Sequence, residues 1–208
     1  MAKVTIRTPT GRFRWLQVFQ AKQNMNGEQE KSGVLLIPKT SSLQTLSKAR
    51  DTAAAEQWKG RIPASLRKLI GGQKPLLQDG DEILATKEED KVAMYAAYKG
   101  CYVLRAACDG AVSLQLRNDD RTEILDPAEL YDGCYGAFVI SFETYEAKPR
   151  PPKDGKPGFT GGPMVSVKLR GVIKEKDGEP LSSATEAPMT DAEMMQYFGG
   201  AAAEEETI

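Results

Sequence analysis

The chain has 208 residues, of which 40% are hydrophobic and 27% charged, and its formal net charge is −1. This is enough apolar material for one domain with a real core, and no apolar run reaches the roughly 20 residues needed to cross a bilayer. Histidine is absent, which excludes Ser-His-Asp and Cys-His catalytic groups and every histidine-containing metal site. A Walker-type phosphate loop is excluded too, because no Gly-rich stretch ends in Gly-Lys-Ser/Thr.

The small net charge conceals a strong separation of charge along the chain. All 28 Lys and Arg residues lie at or before Lys176, so residues 1–176 carry +7 and residues 177–208 carry −8. Residues 1–78 alone carry +10. A basic body with an acidic end favours an anionic partner that the acidic end can mimic. We therefore predict a folded domain over residues 1–176 and a flexible acidic tail over residues 177–208.

Two alternating stretches near the N-terminus, residues 3–7 and 13–19, predict β-strands. In the second stretch the aromatic residues, Trp15 among them, share one face. Leu16 and Val18 lie on the opposite face and can supply core contacts. We therefore expect at least one aromatic side chain of this strand to be exposed.

The next apolar run, residues 33–38, predicts a buried strand followed by a helix. Ser41 or Ser42 is expected to cap this helix, and Leu and Ala residues recur at helical spacing over residues 43–55. Residues 63–72 predict a second, shorter helix, because proline favours the first helical turn and glycine the end.

Three carboxylates, Asp79, Asp81 and Glu82, cluster in a predicted turn. A metal site could be built from them, but the spacing lacks the further ligands of an EF-hand loop, and Asp-Gly is common in turns. We therefore predict no metal and no cofactor. A carboxylate-based nuclease that uses these three residues with magnesium is kept as an alternative.

The strongest strand signal of the chain covers residues 130–145. Its alternation places Cys134, Phe138 and Phe142 with other apolar residues on a core face. The other face carries Tyr135 and Tyr145 with small residues between them, which suits a flat ligand. Before this strand, residues 87–97 predict a turn or two of helix, and residues 102–106 and 111–116 predict strands.

A Pro- and Gly-rich loop over residues 148–163 follows, and it leads into a predicted strand over residues 164–173. In that strand, Ile173 is expected to face the core together with Val165, Val167 and Leu169. The loop carries four basic side chains and one aromatic: Lys148, Arg150, Lys153, Lys156 and Phe159. A long basic loop between core strands favours a binding role.

The remaining features concern the tail, the cysteines and the location of the protein. The tail is expected to be disordered, except that a capping box at Thr190 and Glu193 predicts a short partner-binding helix that contains Tyr197 and Phe198. The three cysteines are predicted to be free thiols in a reducing cytoplasm, since the N-terminus has no apolar signal segment.

Together these elements predict a mainly β fold with one or two helices, an OB-fold variant that forms a small Greek-key barrel. OB barrels bind single-stranded nucleic acid by stacking bases on exposed aromatics along a basic groove, at about 1–3 kcal/mol per base. The candidate stacking residues are Trp15, Tyr102, Tyr135, Tyr145 and Phe159. The candidate phosphate ligands are Lys39, Lys99, Arg105, Lys148, Arg150, Lys153, Lys168 and Arg170.

Four segments carry a resemblance to a known family: DGDE at 79–82, YKGCYVLRA at 98–106, LYDGCYGAFVISFETY at 130–145 and VSVKLRGV at 165–172. They resemble the replication single-stranded DNA-binding proteins of tailed phages, the gene 2.5-like group, over about residues 1–182. The resemblance implies a non-enzymatic OB-fold protein that coats single-stranded DNA during phage replication and recombination in the bacterial cytoplasm.

The resemblance also implies roles for particular residues. By position, Tyr145 is similar to an aromatic that stacks on DNA, and Lys99 or Arg105 to a basic contact. It further implies an acidic C-terminus that competes with DNA and recruits replication proteins such as a polymerase or helicase. Tails in this group often end in phenylalanine, whereas this chain ends in isoleucine. The expected partner contacts are therefore Tyr197, Phe198, Glu204, Glu205 and Glu206.

A second class of function also fits the same barrel. A structural or adaptor protein of a virion or replisome would use the barrel for protein contacts, and it would show no salt-dependent DNA binding. The sequence leaves the oligomeric state open, a homodimer included.

Overall fold

The chain folds around a β-barrel, described here from a computed structural model that covers residues 2–72, 74–149, 151 and 160–181. Its strands and helices are, in chain order, β1 (Ala2–Arg7), β2 (Gly11–Gln23), β3 (Gln29–Pro38), α1 (Gln44–Gln57), β4 (Leu77–Asp79), α2 (Gly80–Ala85), α3 (Glu89–Tyr95), β5 (Cys101–Asp109), β6 (Gln115–Asn118), β7 (Tyr135–Ala147) and β8 (Gly162–Lys176). Short 3₁₀ turns cover Ala96–Tyr98 and Pro127–Glu129. Within the described ranges, no helix is long and apolar enough to span a membrane.

The strand order closes the sheet on itself. β2 pairs with β3, β3 with β5, β5 in parallel with β8, β8 with β7, and β7 with β2. β1 pairs with the part of the β7 edge that β2 leaves free, and β6 pairs with β8. This is the arrangement of an OB-like Greek-key barrel. The predicted mainly β fold is confirmed.

The barrel interior is filled by alternate residues of the long strands. Phe13 and Phe138 stack inside it with ring centroids 5.4 Å apart. The predicted core face of β7 is confirmed, since Phe138, Ile140 and Phe142 are fully buried. The opposite face of β7 is not the open surface that the alternation suggested. Ser141 on that face is fully buried as well, and its hydroxyl accepts a hydrogen bond from the Arg170 guanidinium at 2.9 Å.

β2 contains a β-bulge around Trp15. Arg14 pairs with Val34 and Gln17 pairs with Ser32, so three steps along β2 match two along β3. Trp15 takes up the extra length with a φ of 49°, which residues other than glycine rarely adopt.

The bulge reverses the side-chain pattern of β2. Because the strand period is two residues, one extra residue moves the side chains that follow it to the other face, as far as the next register shift, which lies between Gln17 and Lys22. Val18 is therefore buried in the same core cluster as Phe13, and Leu16 packs against that cluster. The prediction that Leu16 and Val18 lie opposite Phe13 is wrong for this reason. A Cβ on Gly33 would lie 2.9 Å from both Leu16 and Phe138, so the glycine makes room for the displaced leucine.

Three other local predictions are wrong. Residues 61–72 form turns and bends, not a helix. The segment predicted as a carboxylate-rich turn begins α2, whose first turn is capped by the Asp79 carboxylate as it accepts a hydrogen bond from the Asp81 amide. At residues 111–116 only the last two belong to a strand, β6. Asp-Gly and Pro-Ala sequences are compatible with both turns and helix starts, so local sequence alone does not decide between them.

Two further predictions need smaller corrections. α1 is confirmed, but Leu43 occupies its N-cap position, and the predicted serine contact is limited to the Ser42 hydroxyl, which accepts a hydrogen bond from the Gln44 amide at 3.4 Å. In β8 a register shift near Gly171 places Val172 in the core and leaves Ile173 half-buried. The cysteines are free as predicted, with Cys108 and Cys134 buried and Cys101 half-buried.

Residues 177–181 fold back against the barrel after β8. Leu181 donates its amide hydrogen to the Asp132 carbonyl at 2.9 Å, and the Arg14 guanidinium donates to the Leu181 carbonyl at 2.7 Å. Gly178 passes so close to Gly133 that a Cβ on Gly178 would lie 2.2 Å from the Gly133 carbonyl oxygen. The last described residue is therefore anchored beside the Trp15 bulge. The remainder of the predicted tail lies outside the described residues.

Candidate nucleic-acid interface

The Trp15 bulge is held in place by one carboxylate. Asp132 accepts hydrogen bonds from the backbone amides of Trp15 at 2.7 Å and Leu16 at 2.9 Å. It also pairs with the buried Arg14 guanidinium at 3.2 Å. These amides have no regular ladder partner at a bulge, and the carboxylate satisfies them. Asp132 therefore acts as a positioning residue that fixes the direction of the Trp15 side chain.

The Trp15 indole lies in a cluster of aromatic and cationic side chains. Its ring centroid is 5.2 Å from that of Tyr95 in an edge-on arrangement and 5.9 Å from that of Tyr98. The guanidinium carbons of Arg14 and Arg105 lie 5.2 and 5.9 Å from the indole centroid. Cations this close to an indole are attracted by its quadrupole. The indole is half-buried, and these neighbouring side chains restrict its orientation.

Tyr98 forms the inner wall of this cluster. It is fully buried, and its hydroxyl has no hydrogen-bond partner among the described residues. Burial raises the pKa of Tyr98 to about 12. Tyr98 therefore packs as a neutral aromatic, and the exposed part of the cluster is formed by Trp15 with Arg105.

Two of the predicted phosphate ligands lie on the outer face of the barrel. Arg105 is exposed, because its neighbours Leu104 and Ala106 point into the core. Lys168 stands on the adjacent strand opposite Ala107, two residues further along. Within the described part of the chain, neither Arg105 nor Lys168 forms an ion pair. We refer to this surface, formed by Trp15, Arg105 and Lys168, as the Trp15 face.

Arg170 is near this face but its charge is already engaged. Its guanidinium pairs with the Glu143 carboxylate and donates to the Ser141 hydroxyl at 2.9 Å. An ion pair of this kind offsets the positive charge that a phosphate would meet. Arg170 was predicted as a phosphate ligand, but the Glu143 carboxylate already offsets most of its positive charge.

Lys39 lies in a different environment, at the end of the barrel. Its ammonium is 2.7 Å from a carboxylate oxygen of Asp79 and 2.7 Å from one of Asp81. Hydrogen bonds from Lys39 lower the pKa of both carboxyl groups, and the same bonds raise the pKa of Lys39. The lysine nitrogen is also 5.8 Å from the Tyr102 ring centroid. We refer to this cluster, formed by Lys39, Asp79, Asp81 and Tyr102, as the Lys39 corner.

The Lys39 corner bears on the predicted absence of a metal. The two carboxylates surround an ammonium group, which occupies the position between them. In the part of the chain that the structure describes, no group of three or more metal-ligating side chains comes together. The geometry therefore gives no support to the magnesium-dependent nuclease alternative.

Three other predicted aromatics, like Trp15, are half-buried. Tyr102 is half-buried and packs against the barrel core. Tyr135 lies between two cations, with Arg12 at 5.7 Å and Lys176 at 4.9 Å from its ring centroid. Tyr145 is half-buried near the end of β7, opposite Met164.

The remaining predicted site residues are exposed or lie outside the described ranges. Lys99 is exposed just before β5, and Lys148 is exposed just after β7. The predicted residues outside the described ranges are Arg150, Lys153, Phe159, Tyr197, Phe198, Glu204, Glu205 and Glu206.

A cleft of about 500 Å³ beside Arg105 was not predicted. It is lined in part by Arg67 and Lys74, which come from the irregular segment before β4. The available signal was the +10 charge of residues 1–78. That signal identified a basic region but could not select individual residues, because the segment has no regular periodicity.

The barrel and the Trp15 face define a class of protein, the small OB-like barrels that present an aromatic side chain among cations. Residues 3–202 match a family model described as Enterobacter phage Enc34, ssDNA-binding protein. The chain belongs to this family. Its members are binding proteins, which agrees with the predicted non-enzymatic class, and the predicted kinship with phage single-stranded DNA-binding proteins is confirmed.

Solved structures of the bacteriophage Enc34 protein share this fold. The single-stranded DNA-binding protein of bacteriophage Enc34 in complex with ssDNA is 20% identical, with 86% of this chain and 89% of that chain covered and a TM-score of 0.56. Another structure of the same Enc34 protein is 19% identical, with 90% and 89% covered and a TM-score of 0.53. The single-stranded DNA-binding protein gp2.5 of bacteriophage T7 is 11% identical, with 90% and 99% covered and a TM-score of 0.43. No curated protein sequence matches the chain significantly.

Proposed function

We propose that this protein binds single-stranded DNA across the Trp15 face, without strong sequence preference. The observation that carries the proposal is the bulge that holds Trp15 in an uncommon backbone conformation beside the exposed Arg105. Strained conformations of this kind persist where the surrounding structure enforces them, and they concentrate at functional sites. Family membership supports the same ligand, as does the Enc34 structure that contains ssDNA.

The chemistry of the face suits an unpaired strand. The indole presents a π surface on which any base can stack, at about 1–3 kcal/mol per base, and it does not read base edges. Arg105 and Lys168 are positioned to contact phosphates on either side of the stacked base. In a duplex the bases are already stacked on each other, so the indole has no access to them.

The role of the protein in phage replication and recombination is part of the same proposal. The first acidic residue beyond Leu181 is Glu186, five residues along the sequence from the point where Arg14 holds the chain beside Trp15. Carboxylates attached at that point compete with phosphates for the same cations. The tail is proposed to recruit replication proteins as well, through Tyr197, Phe198 and the glutamates at 204–206.

The test compares single-stranded and duplex ligands. We expect a fluorescent poly-thymidine oligonucleotide to bind the full chain, and a duplex of the same length to bind much more weakly. Affinity for the single strand should fall steeply with salt, because each phosphate contact on a single strand contributes about 0.7 to the slope of log K against log salt. Equal binding to both ligands, or none, would refute the proposal and favour the adaptor function.

The competing tail is tested with two truncations. Removing residues 182–208 deletes six acidic residues but keeps the anchored segment 177–181. We expect it to tighten DNA binding at low salt and to leave the melting temperature unchanged. Removing residues 177–208 also deletes the contacts to Arg14 and Asp132, and we expect it to lower the melting temperature. Unchanged affinity in the first truncation would contradict competition by the tail.

A further inference from the structure

The cleft beside Arg105 results from two strands that share one edge of β5. β4 pairs with the first half of β5, from Asp79 opposite Tyr102 to Leu77 opposite Leu104. β8 pairs with the same edge further on, at Ala107 opposite Lys168. The two strands leave a gap between them at Arg105. We name this gap the β4–β8 notch.

The notch is cationic, with apolar walls. Arg67, Lys74 and Arg105 line it, and none of the described residues that line it is acidic. Pro75 and Val167, which are half-buried, form the accessible apolar part of the wall. Its volume of about 500 Å³ lies within the range of small-ligand sites, which combine an apolar lining with a few placed polar groups.

Arg67 is fixed before any ligand arrives. Its guanidinium donates to the carbonyl oxygens of Lys74 at 2.7 Å and Pro75 at 3.0 Å. Burial lowers the pKa of Arg67, and it has no ion-pair partner within the described ranges. A partly desolvated guanidinium without a carboxylate is an unfavourable arrangement that an anion relieves.

Arg105 belongs to both the notch and the Trp15 face. Its guanidinium lies 5.9 Å from the Trp15 ring centroid, and the residue also lines the notch. A strand stacked on Trp15 with a phosphate on Arg105 therefore reaches the notch with its next nucleotide.

We propose that the β4–β8 notch holds one nucleotide of the bound strand, with the base against Pro75 and Val167. The phosphates on either side of that base contact Arg105 and the pair formed by Arg67 and Lys74. This inference rests on the proposed DNA binding and specifies a second contact point for it.

The test uses two variants of the full chain and one matched control. Lys74→Ala removes a notch cation. Lys59→Ala is the control, because Lys59 is also exposed and has a φ of 52°, close to the 50° of Lys74, but does not line the notch. Ser166→Trp fills the notch and leaves all of its cations. Binding of thymidine oligonucleotides of increasing length is measured by fluorescence anisotropy over a range of salt concentrations.

We expect Lys74→Ala to lower the salt slope by about 0.7, the value for one phosphate contact on a single strand. Lys59→Ala should leave the slope unchanged. Ser166→Trp should weaken binding about tenfold and shorten by one nucleotide the oligonucleotide length at which affinity levels off. Melting temperatures of all variants establish that the comparison is between folded proteins.

Two results would overturn the inference. One is a salt slope for Lys74→Ala equal to that of Lys59→Ala. The other is unchanged DNA binding by a folded Ser166→Trp variant. If Trp15→Ala weakens binding in the same assay while the notch variants do not, the notch is refuted and the DNA-binding function stands. If the unaltered protein binds no oligonucleotide, the function itself is refuted.

Discussion

The Trp15 face and the Lys39 corner contain the same kinds of side chain but differ in what is left for a ligand. In each, a cation lies close to an aromatic ring, with Arg105 at 5.9 Å from Trp15 and Lys39 at 5.8 Å from Tyr102. Lys39 is paired with two carboxylates of its own chain, whereas Arg105 has no such partner among the described residues. The comparison shows that proximity to an aromatic does not make a cation available to a phosphate.

The Lys39 corner has a structural role, which explains why Lys39 is not available to a phosphate. Asp81 also accepts a hydrogen bond from the Gly100 amide at 2.9 Å, so the two carboxylates join α2, the end of β3 and the turn before β5. A phosphate approaching Lys39 would have to displace both carboxylates and would be repelled by them. The corner therefore holds the barrel end together.

The largest expected difference between the two regions concerns their aromatic residues. Trp15→Ala should weaken binding to poly-thymidine by about 5- to 150-fold, the equivalent of 1–3 kcal/mol for one stacked base. Tyr102→Ala should lower the melting temperature, because Tyr102 packs against the core, and should leave the affinity of the folded protein unchanged. Fluorescence anisotropy and thermal unfolding measure the two effects. The opposite assignment of effects would show that the strand binds at the corner.

A second, smaller difference is expected for the cations. Arg105→Ala should reduce the slope of log K against log salt by about 0.7, because one phosphate contact is lost. Lys39→Ala should leave this slope unchanged, although it removes the same formal charge. The slopes come from anisotropy titrations at several salt concentrations. Equal slopes for the two variants would remove the distinction between free and paired cations.

The smallest effect is expected in the acid stability of the Lys39 corner. The pKa values of Asp79 and Asp81 are lowered in the folded state by hydrogen bonds from Lys39. Their contribution to stability is therefore present above the unfolded value of about 4 and is lost as the pH falls through the lower folded values. Lys39→Met should show a weaker loss of stability than the unaltered chain as the pH falls below 4. Parallel stability curves, from chemical denaturation at each pH, would contradict this.

Much of the fold followed from the sequence because long strands repeat every two residues. The core faces of β7 and β8 were largely correct for this reason, and the charge pattern pointed to an anionic ligand. The bulge at Trp15 could not be predicted from the sequence, because the carboxylate that fixes it, Asp132, lies 117 residues away along the chain. One inserted residue changes the face of the side chains that follow it, and no local pattern records it.

The sequence predicted the type of site, aromatic side chains beside cations, but not which residues form it. Arg105 and Trp15 were identified from their strand positions, and the structure brings them together. Lys39 looked equivalent in the sequence, but its pairing with Asp79 and Asp81 depends on where a helix 40 residues later begins. Arg67 was missed because an irregular segment is oriented by backbone contacts with Lys74 and Pro75, which only the folded chain reveals.

The extra residue at Trp15 joins packing and proposed binding at one position of the chain. A chain lacking Trp15 would restore regular pairing from Arg14 to Gln17 opposite Val34 to Ser32, with Leu16 still over Gly33. Such a one-codon deletion would remove the unusual φ together with the indole, and it would also remove the packing of the indole on the buried Tyr98 and Val34. The same side chain therefore covers part of the barrel's packed surface and forms the proposed binding surface, so a chain without it loses both together.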